Sequence, residues 1–202
     1  KIQPGETFAT VKGNAQALLT AERVALNVVQ RMCGIAGMTA EYVQAIDGTG
    51  ATLIDTRKTT PGLRMIEKYA FVCGGGRSHR LGLDNGIMLK DNHIAVAGSI
   101  TNAVKHAKAR APVLTKIEVE CDRIEQVEEA LASGADVIML DNMTNDDMRD
   151  SVKFVNKRVP LECSGGVKLD TIRGKAETGV DFISVGRITQ SATCVDIGLD
   201  EA

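Results

Sequence analysis

The chain has 202 residues, 44% hydrophobic and 25% charged, with a formal net charge of −2, enough for one domain with a sizeable core. That balance, with no Trp, two Tyr and four Phe, excludes a basic nucleic-acid face built on aromatic stacking platforms. Five cysteines with no C-x-x-C pair suggest neither a zinc site nor a secreted disulfide framework and point to a reducing, cytoplasmic setting, while no apolar run nears the roughly 18 residues of a membrane span and no signal-peptide pattern is visible.

In chain order, residues 1–19 differ in texture from the rest of the chain and read as the edge of a neighbouring domain. Residues 20–46, "TAERVALNVVQRMCGIAGMTAEYVQAI", are apolar at helical spacing, and Gly34 and Gly37 predict a division into two consecutive helices. Seven short apolar runs come next, each predicting a strand: 51–56, 70–73, 86–90, 116–121, 136–141, 160–164 and 181–186. Between most of them the spacing predicts helices at 61–69, opened by Pro61, and at 99–110, 123–133, 144–156 and 168–178, with Gly134 and Gly179 at helix ends. The alternation predicts an α/β fold with parallel strands.

Each run carries its unusual polar residues at or just after its C-terminal end: Arg57 and Lys58; His79 and Arg80; Lys90 to His93; Glu118 and Glu120; Asp141 and Asn142; Ser164 to Gly166; Ser184 and Gly186. A β/α barrel explains this, because its active site is built from the loops that leave its strands. Arg57, Lys58, Arg64, Arg80 and Lys90 suit carboxylates or phosphates, the glycine loops at 163–168 and 184–189 suit a phosphate, and Glu120 and Asp141 suit Mg²⁺ or sugar hydroxyls. Taken singly, a strand-terminal cation is more often solvated or paired than functional. Glu118 and Glu120 share a strand face, so their roles cannot be separated by pattern. Three histidines spread along the chain, with no carboxylate–histidine motif, argue against a catalytic metal held by imidazole.

The segments "DTRKTTPGLRMIEKYAFVCGGGRSHRLGL", "MLKDNHI", "KIEVECDRIEQVEEAL", "IMLDN", "LECSGGVKLDTI" and "GVDFISVGRITQSA" together resemble the quinolinate phosphoribosyltransferase family, the carboxylating nicotinate-nucleotide pyrophosphorylases, across nearly the whole chain. The resemblance implies an incomplete seven-stranded β/α (TIM-like) barrel over residues 20–202, preceded by an N-terminal α/β domain of which residues 1–19 are a remnant and most is missing. It implies the Mg²⁺-dependent transfer of phosphoribose from phosphoribosyl pyrophosphate to quinolinate, with loss of pyrophosphate and CO₂, giving nicotinate mononucleotide for NAD synthesis. It also implies a homodimer or a multiple of dimers. Carried onto matching positions, Arg57, Lys58, His79, Arg80 and Lys90 resemble the quinolinate-binding set, joined by Arg23 from the partner subunit. Lys58, Lys90, Glu120 and Asp141 resemble the catalytic group, with Glu120 and Asp141 as metal carboxylates. Ser164, Gly165, Gly166, Ser184 and Gly186 resemble the loops that hold the 5-phosphate. The alternatives are a molybdenum-associated paralogue of the same family, another phosphate-binding barrel enzyme, and a catalytically incomplete fragment that acts only as a binding module. Intact "DTRKTTPGLR" and "SHR" speak against the first of these.

Overall fold

The computed structural model describes residues 2–200; Lys1, Glu201 and Ala202, at the outer ends of the two expected segments, lie outside the described residues. The chain opens with helix α1 (Ala15–Ala45), capped by Asn14, whose side chain accepts the Ala17 N–H at 3.2 Å. The two helices expected across 20–46 are therefore one. Gly34 does not break α1 because it has a packing role: a Cβ there would overlap the Thr193 carbonyl oxygen. The close approach of that later segment outweighs the roughly 1 kcal/mol helix penalty of a glycine.

Among the described residues six strands and seven further helices follow: β1 (Thr52–Ile54), α2 (Arg64–Cys73), β2 (Ile87–Leu89), α3 (Asp91–Ala97), α4 (Ile100–Lys108), β3 (Ile117–Cys121), α5 (Ile124–Ala132), β4 (Val137–Asp141), α6 (Asn145–Val155), β5 (Leu161–Ser164), α7 (Ile172–Ala176), β6 (Phe182–Ser184) and α8 (Gly186–Ser191). All strand pairs are parallel, in the order β1-β6-β5-β4-β3-β2. The strand expected at 70–73 is instead the last turn of α2. Its buried residues Glu67, Lys68, Ala70 and Phe71 recur at helical spacing, and an apolar run of four residues does not by its periodicity distinguish strand from helix. A single parallel bridge joins Ile54 to Arg77, with Arg77 N–H donating to the Leu53 carbonyl at 2.9 Å. Residues 77–80 thus run beside the end of β1 without forming a strand. Helix α3, which starts directly after Lys90, was not foreseen.

The register divides the sheet into two chemically different faces. Successive strand residues point to opposite sides, and partners in a parallel ladder point to the same one. Met88 pairs with Glu118, Glu120 with Met139, Met139 with Glu162, Asp141 with Ser164, and Ser184 with Ile54. Glu118, Glu120, Asp141, Glu162, Ser164 and Ser184 therefore share one face. The other face carries Leu53, Leu89, Ile117, Val119, Cys121, Ile138, Leu140, Leu161, Cys163 and Ile183, which form a continuous core with Phe71, Val127, Met148, Ile172 and Ile188 from the helices. Each such side chain contributes about 1.5–3 kcal/mol on burial. Burial pushes the Cys121 and Cys163 thiols up to about 12 and about 11, so both stay protonated packing residues. Among the described residues no helix is long and apolar enough to cross a membrane.

Candidate active site

The loop that leaves β1 presents two cations on a fixed backbone. Lys58 N–H donates to Thr56 Oγ1 at 3.0 Å, and the Lys58 carbonyl accepts from Thr189 Oγ1 at 2.7 Å. Thr60 donates from its backbone N–H (3.0 Å) and its hydroxyl (2.7 Å) to Glu67, which is fully buried in α2. Arg64, one of the five expected anion-binding cations, turns back on the loop and bonds the Arg57 carbonyl at 3.2 Å and Thr59 Oγ1 at 3.1 Å. Its guanidinium braces the loop, whereas the Arg57 and Lys58 side chains extend into an exposed cleft of about 270 Å³ that Thr59, Thr60, Pro61 and Gln190 also line.

The segment after Arg77 is held from below by Asp55. Parity puts this buried carboxylate on the helix side of β1, where it pairs with Lys68 of α2, accepts from Ser78 Oγ at 3.1 Å and accepts the His79 N–H at 2.9 Å. Lys68 also reaches the Arg80 carbonyl at 3.3 Å. The Arg80 guanidinium donates to the Gly86 carbonyl at 3.0 Å. Its pKa is pushed down first by burial and then by the positive charge of Arg57, against the pull of Glu118 and Glu162. The Arg57 and Arg80 charges thus oppose one another, a repulsion that a polyanion relieves.

On the polar face, His79 Nε2 lies 3.0 Å from Glu118 and 3.3 Å from Glu162, while Nδ1 accepts the Arg80 N–H at 2.7 Å. Burial lowers the His79 pKa, but the two carboxylates raise it more, to about 9. The Arg80 amide needs the Nδ1 lone pair and opposes that rise. Glu162 is pushed up to about 7, chiefly by burial, with His79 opposing and the Glu118 charge adding to the rise. One donor atom from each of the three residues lies within 4.8 Å of the others, a spacing that could hold a metal ion. With Nδ1 accepting, however, the proton sits on Nε2 and points at the carboxylates. The triad is a proton-holding set, and both imidazole nitrogens are engaged within the chain. Glu162 escaped the sequence reading because "PLECS" carries only one charge inside an otherwise buried strand; the partner that gives it meaning lies 83 positions upstream.

Glu118 and Glu120, inseparable by pattern, have different partners: Glu118 holds His79, and Glu120 pairs with Lys90 at the end of β2. Asp141 ends the neighbouring β4 on the same face and accepts from Asn142 Nδ2 at 2.7 Å. Glu120 and Asp141 each keep a second carboxylate oxygen outside these bonds, so the pair offers the hard oxygen donors that Mg²⁺ takes. Gly165 has φ +89, and a Cβ there would strike the Asn142 side chain; at Gly186 a Cβ would lie 2.8 Å from Lys58 Cδ. The glycine loops after β5 and β6 thus close directly on the Asp141–Asn142 turn and on the cation loop. Arg23 stands exposed on α1 and joins none of these groups. A larger cavity, about 610 Å³, lies between Met38, Glu41 and Tyr42 of α1 and the Lys168–Asp170 and Arg187 segments; of the expected glycine loops it takes only Lys168 and Arg187, and none of the individually named site residues.

Residues 35–200 match the family model of the quinolinate phosphoribosyl transferase C-terminal domain, and residues 1–33 match that of the N-terminal domain. A probable nicotinate-nucleotide pyrophosphorylase (carboxylating) of Bacillus subtilis is 49% identical over 199 residues, covering 98% of this chain and 69% of the relative. The Mycobacterium leprae protein, a nicotinate-nucleotide pyrophosphorylase (carboxylating), is 45% identical, covering 99% and 71%. The crystal structure of the nicotinate-nucleotide pyrophosphorylase from Ehrlichia chaffeensis superposes with a TM-score of 0.88 at 43% identity, covering 99% of this chain and 76% of that one. The corresponding Francisella tularensis structure gives 0.88 at 42%, with 91% and 65% covered. The chain thus spans about two-thirds of the length of its relatives, and its matches in sequence and structure agree with the cation loops and carboxylate face: it belongs to the quinolinate phosphoribosyltransferase family.

Proposed function

We propose that the chain carries the catalytic part of a quinolinate phosphoribosyltransferase, which converts quinolinate and phosphoribosyl pyrophosphate to nicotinate mononucleotide, pyrophosphate and CO₂. The observation that carries this reading is the pair of braced cation loops, one turning Arg57 and Lys58 into a cleft and the other fixing His79 and Arg80 at the edge of a carboxylate-lined sheet face. A planar dicarboxylate fits that charge pattern, because each guanidinium can grip a carboxylate through paired donors. His79 acts by fixing Arg80 through its ring and backbone, and Lys90 completes the quinolinate site. The sheet then curls into an incomplete barrel whose seam lies between β1 and β2, where residues 77–80 take the place of a strand. The described residues ahead of residue 20 belong with an N-terminal domain, and those from residue 20 onward form the barrel.

The chemistry follows from charge. The anomeric C–O bond of the phosphoribosyl group breaks with its electron pair leaving on pyrophosphate, and the pyridine nitrogen attacks the oxocarbenium-like carbon; no protein nucleophile is needed. Lys58 faces the departing pyrophosphate, and Ser164, Gly165, Gly166, Ser184 and Gly186 hold the 5-phosphate. Glu120 and Asp141 would hold Mg²⁺, which supplies neutralisation of the leaving group when bound, and as carboxylates they favour positive charge on the ribose. Once ribosylated, the cationic ring nitrogen stabilises the electron pair left on C2 as the C2 carboxylate departs as CO₂, and that ylide-like carbon then takes a proton. Lys58 or Lys90 orients that carboxylate. Arg23 reaches a partner subunit's site in a dimer, and the protein works in the cytoplasm.

Incubation with quinolinate, phosphoribosyl pyrophosphate and Mg²⁺, followed by mass spectrometry for nicotinate mononucleotide, tests the reading, with nicotinate in place of quinolinate as the control. Product from quinolinate alone supports it. Quinolinate binding without product would assign these residues to a binding module, and the absence of both would sink the proposal.

A further inference from the structure

We infer that Glu67 and Lys68, consecutive buried residues of α2, are positioning residues that hold the two cation loops at the spacing a dicarboxylate requires. The inference rests on the proposed activity and deepens it. Glu67 is 0% exposed and Lys68 4%, an unusual burial for two charges side by side on one helix. Each holds a different loop. Glu67 accepts from the Thr60 N–H and hydroxyl at 3.0 and 2.7 Å, fixing the loop that carries Arg57 and Lys58. Lys68 pairs with Asp55, which accepts the His79 N–H and the Ser78 hydroxyl. Lys68 also donates to the Arg80 carbonyl at 3.3 Å, fixing the segment that carries His79 and Arg80.

The need for such a device follows from electrostatics. The positive charges of Arg57 and Arg80 oppose one another, and loops free to relax would let them move apart before any ligand arrived. Two loops hung from adjacent residues of one rigid helix keep a fixed separation instead. The repulsion is thereby retained in the empty site and relieved further by an anion that spans both groups, which is pre-organisation toward two carboxylates. A single carboxylate gains from one loop only. The tether is itself braced from the far side, where Arg31 of α1 donates to Glu67 from Nε at 3.1 Å and from Nη2 at 3.0 Å.

Amide hydrogen exchange and calorimetric quinolinate binding on the wild type and on Glu67→Gln, Lys68→Met and Arg31→Lys test the inference. Glu67→Gln should speed exchange at least tenfold in residues 58–60 and leave 78–80 unchanged. Lys68→Met should do the reverse. Arg31→Lys, which leaves both tethers in place and loosens only the brace, should show a weaker form of the Glu67 pattern and serves if either α2 variant fails to fold. Each α2 variant should bind quinolinate at least tenfold more weakly at temperatures where it is fully folded, and Arg31→Lys should bind it more weakly by a smaller factor. Exchange that rises uniformly along the chain, or unaltered exchange in both loops, would overturn the inference, as would wild-type affinity in variants whose loops exchange faster. A wild type that does not bind quinolinate would count against the proposed activity, while the loop-specific exchange pattern would still decide the tether.

Discussion

The two faces of the sheet share every strand yet have opposite compositions. From Leu53 to Ile183, the helix-facing residues are apolar and buried in one cluster; the residues between them include four carboxylates and two serines. The first face supplies stability through burial, and the second gives some of it up. Glu118 and Glu162 each leave a buried carboxylate oxygen without a hydrogen-bond partner among the described residues, as does the Ser184 hydroxyl, an arrangement that costs folding energy and is tolerated where chemistry needs it. Substitution should therefore separate the faces cleanly.

The largest effect is expected on the apolar face. Leu140→Ala removes a fully buried side chain and should lower unfolding free energy by about 2–5 kcal/mol, measured by chemical denaturation, with near-normal quinolinate affinity in the protein that remains folded. A loss below about 1 kcal/mol would show that this face is not the main source of stability. On the polar side, Arg57→Ala should weaken quinolinate binding by about 1.5–3 kcal/mol without moving the denaturation midpoint; a shifted midpoint with intact binding would erase the distinction between the faces. Gly186→Ala sharpens the comparison at the loops. Its new methyl would meet Lys58 Cδ and should cost about 1–3 kcal/mol of phosphoribosyl pyrophosphate binding through overpacking, and calorimetry giving wild-type affinity would remove Gly186 from the phosphate site.

The smallest effect is a slope with pH. His79 is pulled toward its charged form by Glu118 and Glu162, but its Nδ1 accepts the Arg80 N–H and so stays unprotonated in the fold, which leaves Glu162 to set the slope. Glu162, raised to about 7, is favoured while protonated, so its ionisation between 4.5 and 7 costs stability. Glu162 binds more protons folded than unfolded, so stability should decline gently from pH 5 to 7, with Arg80 nearby favouring the ionised carboxylates and limiting the fall. Glu162→Gln should flatten the part between pH 5 and 7, and an equally steep profile in that variant would place the titration elsewhere.

Much of the fold was legible because its signals are local. Six of the seven apolar runs are strands, and Gly134 and Gly179 do end helices, both at positive φ. The run at 70–73 misled because Ala70 and Phe71 face the core while Val72 and Cys73 are exposed, a helical pattern too short to show its period. Gly34 misled because its reason, the Thr193 carbonyl, lies 159 positions away. At the site, the polar residues at strand ends could be read from sequence, since parallel strands bring their C-terminal ends together whatever lies between them. What could not be read was division of labour. Arg57 and Arg64 look equivalent in "DTRKTTPGLR", yet one extends into the cleft and the other braces the backbone. Glu118 and Glu120 differ only in which strand's cation or imidazole reaches them, and Glu162 gains its role only once β5 and residues 77–80 meet.

The close packing of Thr193 on Gly34 bears on how the molecule is made. Val195 N–H donates to the Gln30 carbonyl at 3.1 Å, the Gln30 amide donates to the Ile197 carbonyl at 2.8 Å, and Arg31, which grips Glu67, also donates to the Ala192 carbonyl at 2.6 Å. The brace beneath the Arg57 loop is therefore anchored by residues synthesised more than 120 positions after that loop. On the ribosome, α1 and the first cation loop emerge long before the segment that secures them, so the anion-binding geometry should form last, when residues 192–197 clear the exit tunnel and seal against the first helix.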